Sequence, residues 1–305
     1  MGLSAFLLVL AQADGVAPAP PRVEPLAVVE NVALRELSGL ARTERAGVFW
    51  GLNDSGGEPR LYAFAEDGTT VGNPAGVLVE GATNVDWEEL AVAGRFLVAA
   101  DLGNNGNARR DLALYLIEEA TVERASVPAR RVPVHYPDQR AFPAETWHFD
   151  CEAVFGDGEA LWFLTKHRRR GEPFGFERGT KLYRLSLRDL AKPQGQGPGR
   201  STSDDQNADP SSLELTLVET SALLSAPTAA ALSPDGARLA VATYREVLVF
   251  PAPEAREAGS WLSGTPERFP LPWLETRQVE ALAWRNEDSL ILANEAGRLF
   301  RLRLP

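Results

Sequence analysis

Five times along this chain, a short apolar segment opens with a polar residue at an equivalent place. The segments begin Ser-Gly-Leu-Ala, Glu-Glu-Leu-Ala, Glu-Ala-Val-Phe, Thr-Ala-Ala-Ala and Glu-Ala-Leu-Ala. Each is followed by a second segment that is almost wholly apolar, as expected for paired strands. The polar residues that open them are Ser38, Glu88, Glu152, Thr228 and Glu280. An internal repeat of this kind restricts the fold to architectures that stack equivalent units.

Each repeat has the same order of predicted elements: strand, tight turn, strand, turn, strand, longer link, strand. The turns contain Gly, Asp, Asn and Pro, and the strands are rich in Val, Leu, Tyr, Trp and Phe. No segment shows a helical period over three turns. The sequence therefore predicts an all-β protein built from four-stranded units.

The ends of the chain predict how these units close. The fifth repeat lacks its fourth strand, and an unassigned β-rich segment, 23–34, precedes the first repeat. We therefore predict a five-bladed β-propeller in which this N-terminal strand pairs at the outer edge of the last blade, which removes an exposed edge. Six blades are a less favoured alternative, if 121–149 hides a degenerate one, and a sandwich or barrel is another. Residues 188–213, rich in Gln, Gly, Pro, Ser and Asp, are predicted to be a loop insertion.

The N-terminus predicts export. Residues 3–10 are apolar, and 11–13 have the small-x-small form that signal peptidase cleaves, so 1–13 are predicted to be a signal peptide. The Pro/Ala-rich residues 14–22 are predicted to be disordered, and 23–305 to form a single domain. The alternative is an apolar N-terminus that packs on the domain. The apolar run is too short to span a membrane.

Composition excludes several kinds of partner and site. The 305 residues carry a net charge of −11, which repels nucleic acid and anionic membranes. Cys151 is the only cysteine, so neither an intramolecular disulfide nor a cysteine zinc site can form. The three histidines are not at metal-ligand spacing. Oxygen atoms therefore remain as the candidate metal ligands. We also expect the protein to be a monomer.

In a propeller, the first strands line a central channel, so the five polar residues should form one ring near one mouth. Three carboxylates held this close repel one another unless a cation neutralises them. Ca²⁺ prefers carboxylate, hydroxyl and carbonyl oxygens, so we predict a calcium site held by Ser38, Glu88, Glu152, Thr228 and Glu280. The alternative is a hydrated, partly protonated polar plug.

The ends of the second strands predict a second ring around the first. Asp54 and Asp101 directly follow apolar strands and are candidate catalytic residues, which would take a proton from water or ligate a second cation. Lys166, in the basic run 166–170, would lie on the rim and attract an anionic substrate, unless this run is a solvated hairpin tip. The other candidate substrate contacts are Asn53, Arg168, Arg169, Tyr244 and Glu295.

Two resemblances to known families follow from these segments. Residues 148–169, HFDCEAVFGDGEALWFLTKHRR, resemble the H-E-[AS]-x-x-W…W-F-F-L-P-R-R segment of the calcium-activated apyrases. Those are five-bladed propellers with a central calcium in a Ser/Glu/Glu/Ser/Glu ring. The resemblance implies that Lys166, Arg168 and Arg169 occupy phosphate-binding positions. The segment departs from that pattern at His148, which three residues separate from Glu152.

Residues 36–187 resemble a group of exported bacterial propellers related to the esterase-like, phytase-like and gluconolactonase-type propellers. The matching segments are E-L-S-G-L, N-D-S-G, N-V-D-W-E-E-L-A, D-L-G-N-N and T-K. This resemblance implies the propeller fold and the metal ring. The predicted function is a calcium-dependent hydrolase of a small anionic substrate, a phosphate ester, phosphoanhydride or lactone. The alternative is a non-catalytic propeller with a structural ion that binds a ligand or protein.

Overall fold

The computed structural model describes residues 23–118, 120–172, 175–191, 211–255 and 260–305. The predicted signal peptide 1–13, the segment 14–22 and most of the predicted loop, 192–210, lie outside these residues. The described residues are almost entirely strands and turns, with two four-residue helices. Within them, no helix has the length and apolar character that crossing a membrane requires.

The strands follow the repeats. The first, β1, is Val23–Val28. Unit 1 contains β2 (Leu37–Arg42), β3 (Val48–Asn53), β4 (Arg60–Ala65), the short β5 (Thr70–Val71) and β6 (Val77–Glu80). Unit 2 contains β7 (Trp87–Ala93), β8 (Phe96–Asp101), β9 (Ala113–Glu118) and β10 (Ser126–His135). Unit 3 contains β11 (Trp147–Gly156), β12 (Ala160–Arg168), β13 (Thr180–Ser186), helix α1 (Leu187–Leu190), β14 (Leu213–Glu214) and β15 (Thr216–Ser221). Unit 4 contains β16 (Pro227–Leu232), β17 (Arg238–Thr243), β18 (Glu246–Pro251) and β19 (Glu267–Pro270), and helix α2 (Trp273–Thr276) follows it. Unit 5 contains β20 (Val279–Asn286), β21 (Ser289–Asn294) and β22 (Arg298–Arg303).

The units are arranged in a ring. Each first strand contacts the first strands of its two neighbours, in the order β2, β7, β11, β16, β20 and back to β2. A separate hydrophobic core fills each space between neighbouring units. Trp87 belongs to the core between units 1 and 2, and Trp162 to the core between units 3 and 4. Radial sheets with cores between them define a β-propeller, so the predicted all-β propeller architecture is confirmed, and the units are called its blades below.

The N-terminal strand closes the ring as predicted. β1 pairs antiparallel with β22 and forms the outer strand of the last blade, which has the order β1-β22-β21-β20. Residues 121–149 contribute the outer strand β10 and the start of β11, so the described residues hold no further blade there. Blades 1 and 2 are also joined at their outer edges, where β6 and β10 pair in parallel.

Two regions depart from a plain succession of strands and loops. The outer strand of blade 4 ends at Pro270 and Trp273 begins α2, because Pro270 and Pro272 lack the N–H that a ladder needs. The predicted loop 188–213 begins inside helix α1, where Leu190 is fully buried. It ends in β14, which pairs in parallel with β10 of the neighbouring blade.

Candidate metal centre

A β-bulge interrupts the first strand of every blade at the same place. The pairing register shifts between residues 37 and 39, 87 and 89, 151 and 153, 227 and 229, and 279 and 281. The residues left out of the ladder are the five identified from the repeat: Ser38, Glu88, Glu152, Thr228 and Glu280. All five are buried. A bulge changes the direction of the extra residue's side chain. The five residues that are equivalent in the repeat therefore share the same backbone distortion, at one end of the channel.

The two hydroxyl members of this ring connect neighbouring blades. Ser38 Oγ donates to the carbonyl of Trp87 at 2.8 Å, and Thr228 Oγ1 donates to the carbonyl of Val279 at 2.7 Å. In both cases the acceptor directly precedes the ring residue of the next blade. The hydroxyl hydrogens are therefore committed to the backbone, whereas the oxygen lone pairs are not.

The carboxylates gather around Glu88. Its carboxylate forms one group with Asp54 and Asp86 and a second group with Asp150 and Glu152, and within each group the candidate ligand atoms lie within 4.8 Å of one another. These five residues are called the acidic cluster below. Two of the predicted ring ligands, Glu88 and Glu152, belong to it. Its other three members come from the loops and strand ends beside the ring.

Short polar contacts hold the loops that carry Asp54 and Asp86. Asn84 donates to the carbonyls of Asn53 and Asp54, and its own side-chain oxygen accepts from the backbone N–H of Trp87 at 3.2 Å. Asp101 Oδ1 accepts from the backbone N–H of Asp86 at 3.1 Å. Asp101 also pairs with Arg109 at 2.8 Å. The predicted catalytic residue Asp101 thus lies behind Asp86, whereas Asp54 is part of the acidic cluster.

Gly103 leaves the space that two of these carboxylates occupy. A Cβ placed on Gly103 would lie 2.3 Å from Glu88 Oε1 and 2.4 Å from Asp86 Oδ2. Any other residue here would displace both side chains. This glycine belongs to the Asp-Leu-Gly-Asn-Asn segment of the sequence.

Lys166 was predicted to lie on the rim, but it lies inside the end of the channel. It is 1% exposed. Its Nζ lies 2.7 Å from Glu152 Oε2 and 4.0 Å from Glu280 Oε2, and donates to the Tyr244 hydroxyl at 2.9 Å. Among the described residues, this buried ammonium group is the cation that faces Glu280 directly.

Arg168 is also turned inward. Its guanidinium binds Asp150 through Nε and lies 3.0 Å from Glu152 Oε1 through Nη2. Arg169, next along the chain, is exposed and pairs with Glu172 at 3.5 Å. Lys166 and Arg168 share one face of β12, whereas Arg169 lies just beyond the end of the strand.

The remaining predicted substrate contacts are engaged within the protein. Asn53 accepts from the backbone N–H groups of Arg35 and Glu36 and donates to the carbonyl of Ala33. Glu295 accepts from Gln278 at 3.1 Å. Tyr244 bonds Lys166, as described above. These residues therefore fix the loops around the acidic cluster.

Aromatic rings border the two internal cations. Phe176 lies against Tyr244, with ring centroids 5.6 Å apart, and Tyr244 meets Trp273 edge-on at 6.3 Å. Lys166 Nζ lies 5.0 Å from the Tyr244 ring, and the Arg168 guanidinium lies 5.1 Å from the Phe176 ring. These aromatic rings lower the local dielectric and so strengthen the ion pairs of Lys166 and Arg168.

The acidic cluster carries more negative charge than its neighbours neutralise. Burial and the charges of Asp86 and Glu152 raise the pKa of Asp54 to about 7. Burial and Glu152 raise the pKa of Asp86 to about 6 and that of Asp150 to about 7, the latter despite Arg168. Burial, Glu152 and Asp54 raise the pKa of Glu88 well above its ordinary value. These carboxyls hold protons at pH values at which exposed carboxyls are ionised.

Glu152 is the exception in this cluster. Burial raises its pKa, but Lys166 and Arg168 outweigh burial and lower the pKa to about 2. Glu280, which faces Lys166 at a longer distance, has a pKa raised to about 8 by burial. Glu152 is thus the fixed negative charge at the centre of the site, and its charge raises the pKa values of its neighbours.

Two members of the acidic cluster were missed in the sequence analysis. Asp86 and Asp150 each precede a ring glutamate by two residues, in Asp-Trp-Glu and Asp-Cys-Glu. The same Asp-x-Glu spacing occurs in two repeats at equivalent places, and this recurrence was a readable signal for a second carboxylate beside each ring glutamate.

Comparisons with known proteins identify no family for this chain and find only weak structural similarities. No protein-family model matches the chain, and no curated protein sequence matches it. The chain is similar to the PQQ-bound aldose sugar dehydrogenase of Streptomyces coelicolor, with a TM-score of 0.49 and 13% identity, covering 94% of this chain and 99% of that one. It is similar to the luciferin-regenerating enzyme, with a TM-score of 0.45 and 11% identity, covering 93% and 95% of the two chains. It is also similar to the hydrazine synthase of Kuenenia stuttgartiensis, with a TM-score of 0.40 and 11% identity, covering 84% and 68%. Similarities of this size carry no argument about function, and the fold rests on the strand topology.

Proposed function

We propose that this protein binds a divalent cation at the acidic cluster, and that the ion is Ca²⁺. The observation that carries the proposal is the convergence of Asp54, Asp86, Glu88, Asp150 and Glu152 at one end of the channel. Lys166 and Arg168 pair with only part of this charge. The donors are all carboxylate oxygens, which hard cations prefer, and neither histidine nor cysteine belongs to either group.

Two details of the site fit an ion. Asp54 Oδ1 is buried and has no hydrogen-bond partner among the described residues. A cation bound to this oxygen would supply the missing partner. Gly103 has no side chain, which lets the carboxylates of Glu88 and Asp86 converge against its backbone. Residues Asp54, Asp86 and Glu88 would hold the ion, with Asp150 and Glu152 completing its surroundings.

We extend the proposal to hydrolysis of a small anionic, phosphate-containing substrate. When bound, a divalent cation supplies positive charge that attracts anionic substrate oxygens and eases the ionisation of water. Asp54 would orient the attacking water through the carboxylate oxygen that does not bind the ion. Asp101 supports the loop of Asp86, and the buried pairs of Lys166 and Arg168 orient Glu152 and Asp150.

A second candidate function is a non-catalytic propeller in which the ion is structural. It is favoured by the engagement of Lys166 and Arg168, which are buried and bound to carboxylates, so neither offers its charge freely to a substrate. In that case the mouth of the channel binds a ligand or a protein without chemistry.

Thermal unfolding in Ca²⁺ and in EDTA tests the ion first. Ca²⁺ should raise the melting temperature, because a ligand that binds only the folded state stabilises it. Glu88→Gln should abolish this shift, since Glu88 belongs to both carboxylate groups, whereas the exposed Glu267→Gln should keep it. An equal shift in both variants, or none in the unmodified protein, would contradict the proposal.

A substrate panel then separates the two candidates. Phosphomonoesters, nucleotides and lactones are offered with added Ca²⁺, and release of product is measured. Turnover that requires Ca²⁺ and is lost in Asp54→Asn supports the hydrolase. Retained Ca²⁺ binding without turnover of any panel member supports the structural ion.

A further inference from the structure

One buried carboxylate lies outside the acidic cluster, directly after the bulges. The residues that follow the five ring positions are Gly39, Glu89, Ala153, Ala229 and Ala281. Four of them are glycine or alanine, as the crowding of first strands near the axis requires. A Cβ on Gly39, for example, would lie 2.7 Å from the backbone nitrogen of Leu90. Glu89 is the single large member of this layer, and it is fully buried.

Backbone N–H groups of three blades hold the Glu89 carboxylate. Oε1 accepts from Leu90 at 2.9 Å and from Leu40 at 3.4 Å. Oε2 accepts from Ala230 at 3.1 Å. These residues lie on β7, β2 and β16, and β16 neighbours neither of the other two strands in the ring. A group that reaches all three must lie within the channel itself.

These backbone N–H groups are free to bind Glu89 because of where their strands lie. A first strand has a ladder partner on one edge only, so the N–H groups of its other edge face the channel and need an acceptor. Among the described residues, no cationic side chain pairs with Glu89, and its hydrogen bonds all come from backbone N–H groups. Converging N–H groups without an acceptor among them make an anion site.

We propose that these N–H groups form a binding site for a small anion of the carboxylate class, and that Glu89 fills it with its own side chain. The Glu89 carboxylate acts as a tethered ligand that joins blades 1, 2 and 4 across the axis. This inference does not depend on the cation or on the proposed hydrolysis.

The tethered carboxylate also divides the channel. At the far end of the first strands lies a cavity of about 420 Å³ with mostly apolar walls, and Leu40, Leu90 and Ala230 contribute to it. The same residues hold Glu89, so its carboxylate lies between this cavity and the acidic cluster.

Chemical rescue of Glu89→Ala tests the site. Removing the side chain leaves three buried N–H groups without an acceptor, so the melting temperature should fall by about 5 °C or more. Formate should restore much of this loss in a saturable way, because it supplies the missing carboxylate. Formamide has a similar shape but only one acceptor oxygen, so it cannot satisfy the N–H groups that Oε1 and Oε2 accept separately, and it should restore clearly less. The unmodified protein, whose site is filled, should show no such difference between the two additives.

A buried polar variant elsewhere in the ring controls for general effects of salt. Thr228→Ala also removes a buried hydrogen bond, but its loss should not respond to formate. Equal responses of Glu89→Ala to formate and formamide, or an equal formate response in Thr228→Ala, would overturn the proposal. If Glu89→Ala is recovered unfolded, it is refolded in each additive. Folding in formate alone supports the site, and failure in both, while Glu89→Gln folds, counts against it.

Discussion

At the scale of single residues, Lys166 sets how much negative charge is left for a cation. Its ammonium group is 2.7 Å from Glu152 and 4.0 Å from Glu280, deep in the channel end. Burial lowers the pKa of Lys166, but the two glutamates outweigh burial and raise it well above its ordinary value, so the group stays charged. It therefore acts as a fixed internal counter-ion for one side of the ring.

Lys166→Met should accordingly destabilise the protein and increase its response to Ca²⁺. Leaving buried carboxylates without their partner costs about 3–5 kcal/mol of unfolding free energy. Ca²⁺ should recover part of this loss, because it replaces the missing positive charge. The matched control is Lys181→Met, which removes the partner of Asp138, 2.6 Å away and outside the cluster. Denaturant unfolding with and without Ca²⁺ measures both, and an equal Ca²⁺ effect in the two variants would refute this role of Lys166.

The raised pKa values of the cluster predict how cation binding depends on pH. Asp54 and Asp150 have pKa values of about 7 and Asp86 of about 6, so without a cation the folded protein holds protons that the unfolded chain has released. These groups therefore lower stability as pH rises from about 4 to about 7. A cation must displace the same protons. The difference in melting temperature between Ca²⁺ and EDTA should grow from pH 5 to pH 8, and a difference that shrinks over this range would contradict the assignment.

The sequence predicts the positions of some site residues but not of others. The positions of Glu88 and Glu152 were predictable, because the repeat aligns them with Ser38, Thr228 and Glu280. The inward turn of Lys166 was not, because a basic run gives no indication of which member faces a buried carboxylate. The role of Asp101 was not readable either, because a carboxylate at a strand end can also hold a neighbouring loop, as Asp101 does through the backbone N–H of Asp86.

At the scale of elements, the bulged first strand is the repeated device that builds the site. An ordinary strand would point alternate side chains into the spaces between blades. The bulge frees one residue per blade from that alternation and places it at the channel end. The sequence showed the five equivalent positions but not the bulges, because a bulge depends on the register of two strands and not on one segment.

The closing strand β1 is a second element with a testable role. It covers β22, whose outer edge would otherwise expose unpaired backbone groups. Its Leu26 and Ala27 also pack against the core between the last and first blades. Deletion of residues 1–28 should therefore lower the melting temperature by several degrees relative to deletion of residues 1–22 and promote association through the open edge. Scanning calorimetry and light scattering measure these effects, and identical behaviour of the two truncations would argue against closure by β1.

At the scale of the whole molecule, the fold was more predictable than the site. Strand order, repeat number and N-terminal closure follow from hydrophobic patterns and turn residues, which act locally along the chain. The acidic cluster needs three blades at once: Asp54 comes from blade 1, Asp86 and Glu88 from blade 2, and Asp150 and Glu152 from blade 3. No single repeat contains it. The same holds for Glu89, whose partners lie as far as 141 positions away in the chain.

The central claim is that the acidic cluster is a cation site, and a crystal structure grown with Tb³⁺ in place of Ca²⁺ tests it most directly. The anomalous signal locates the ion without reference to any activity. We expect a peak among Asp54, Asp86, Glu88, Asp150 and Glu152, and its disappearance in Glu88→Gln. Ordered crystals with no peak there, or with a peak elsewhere that Glu88→Gln leaves unchanged, would contradict it.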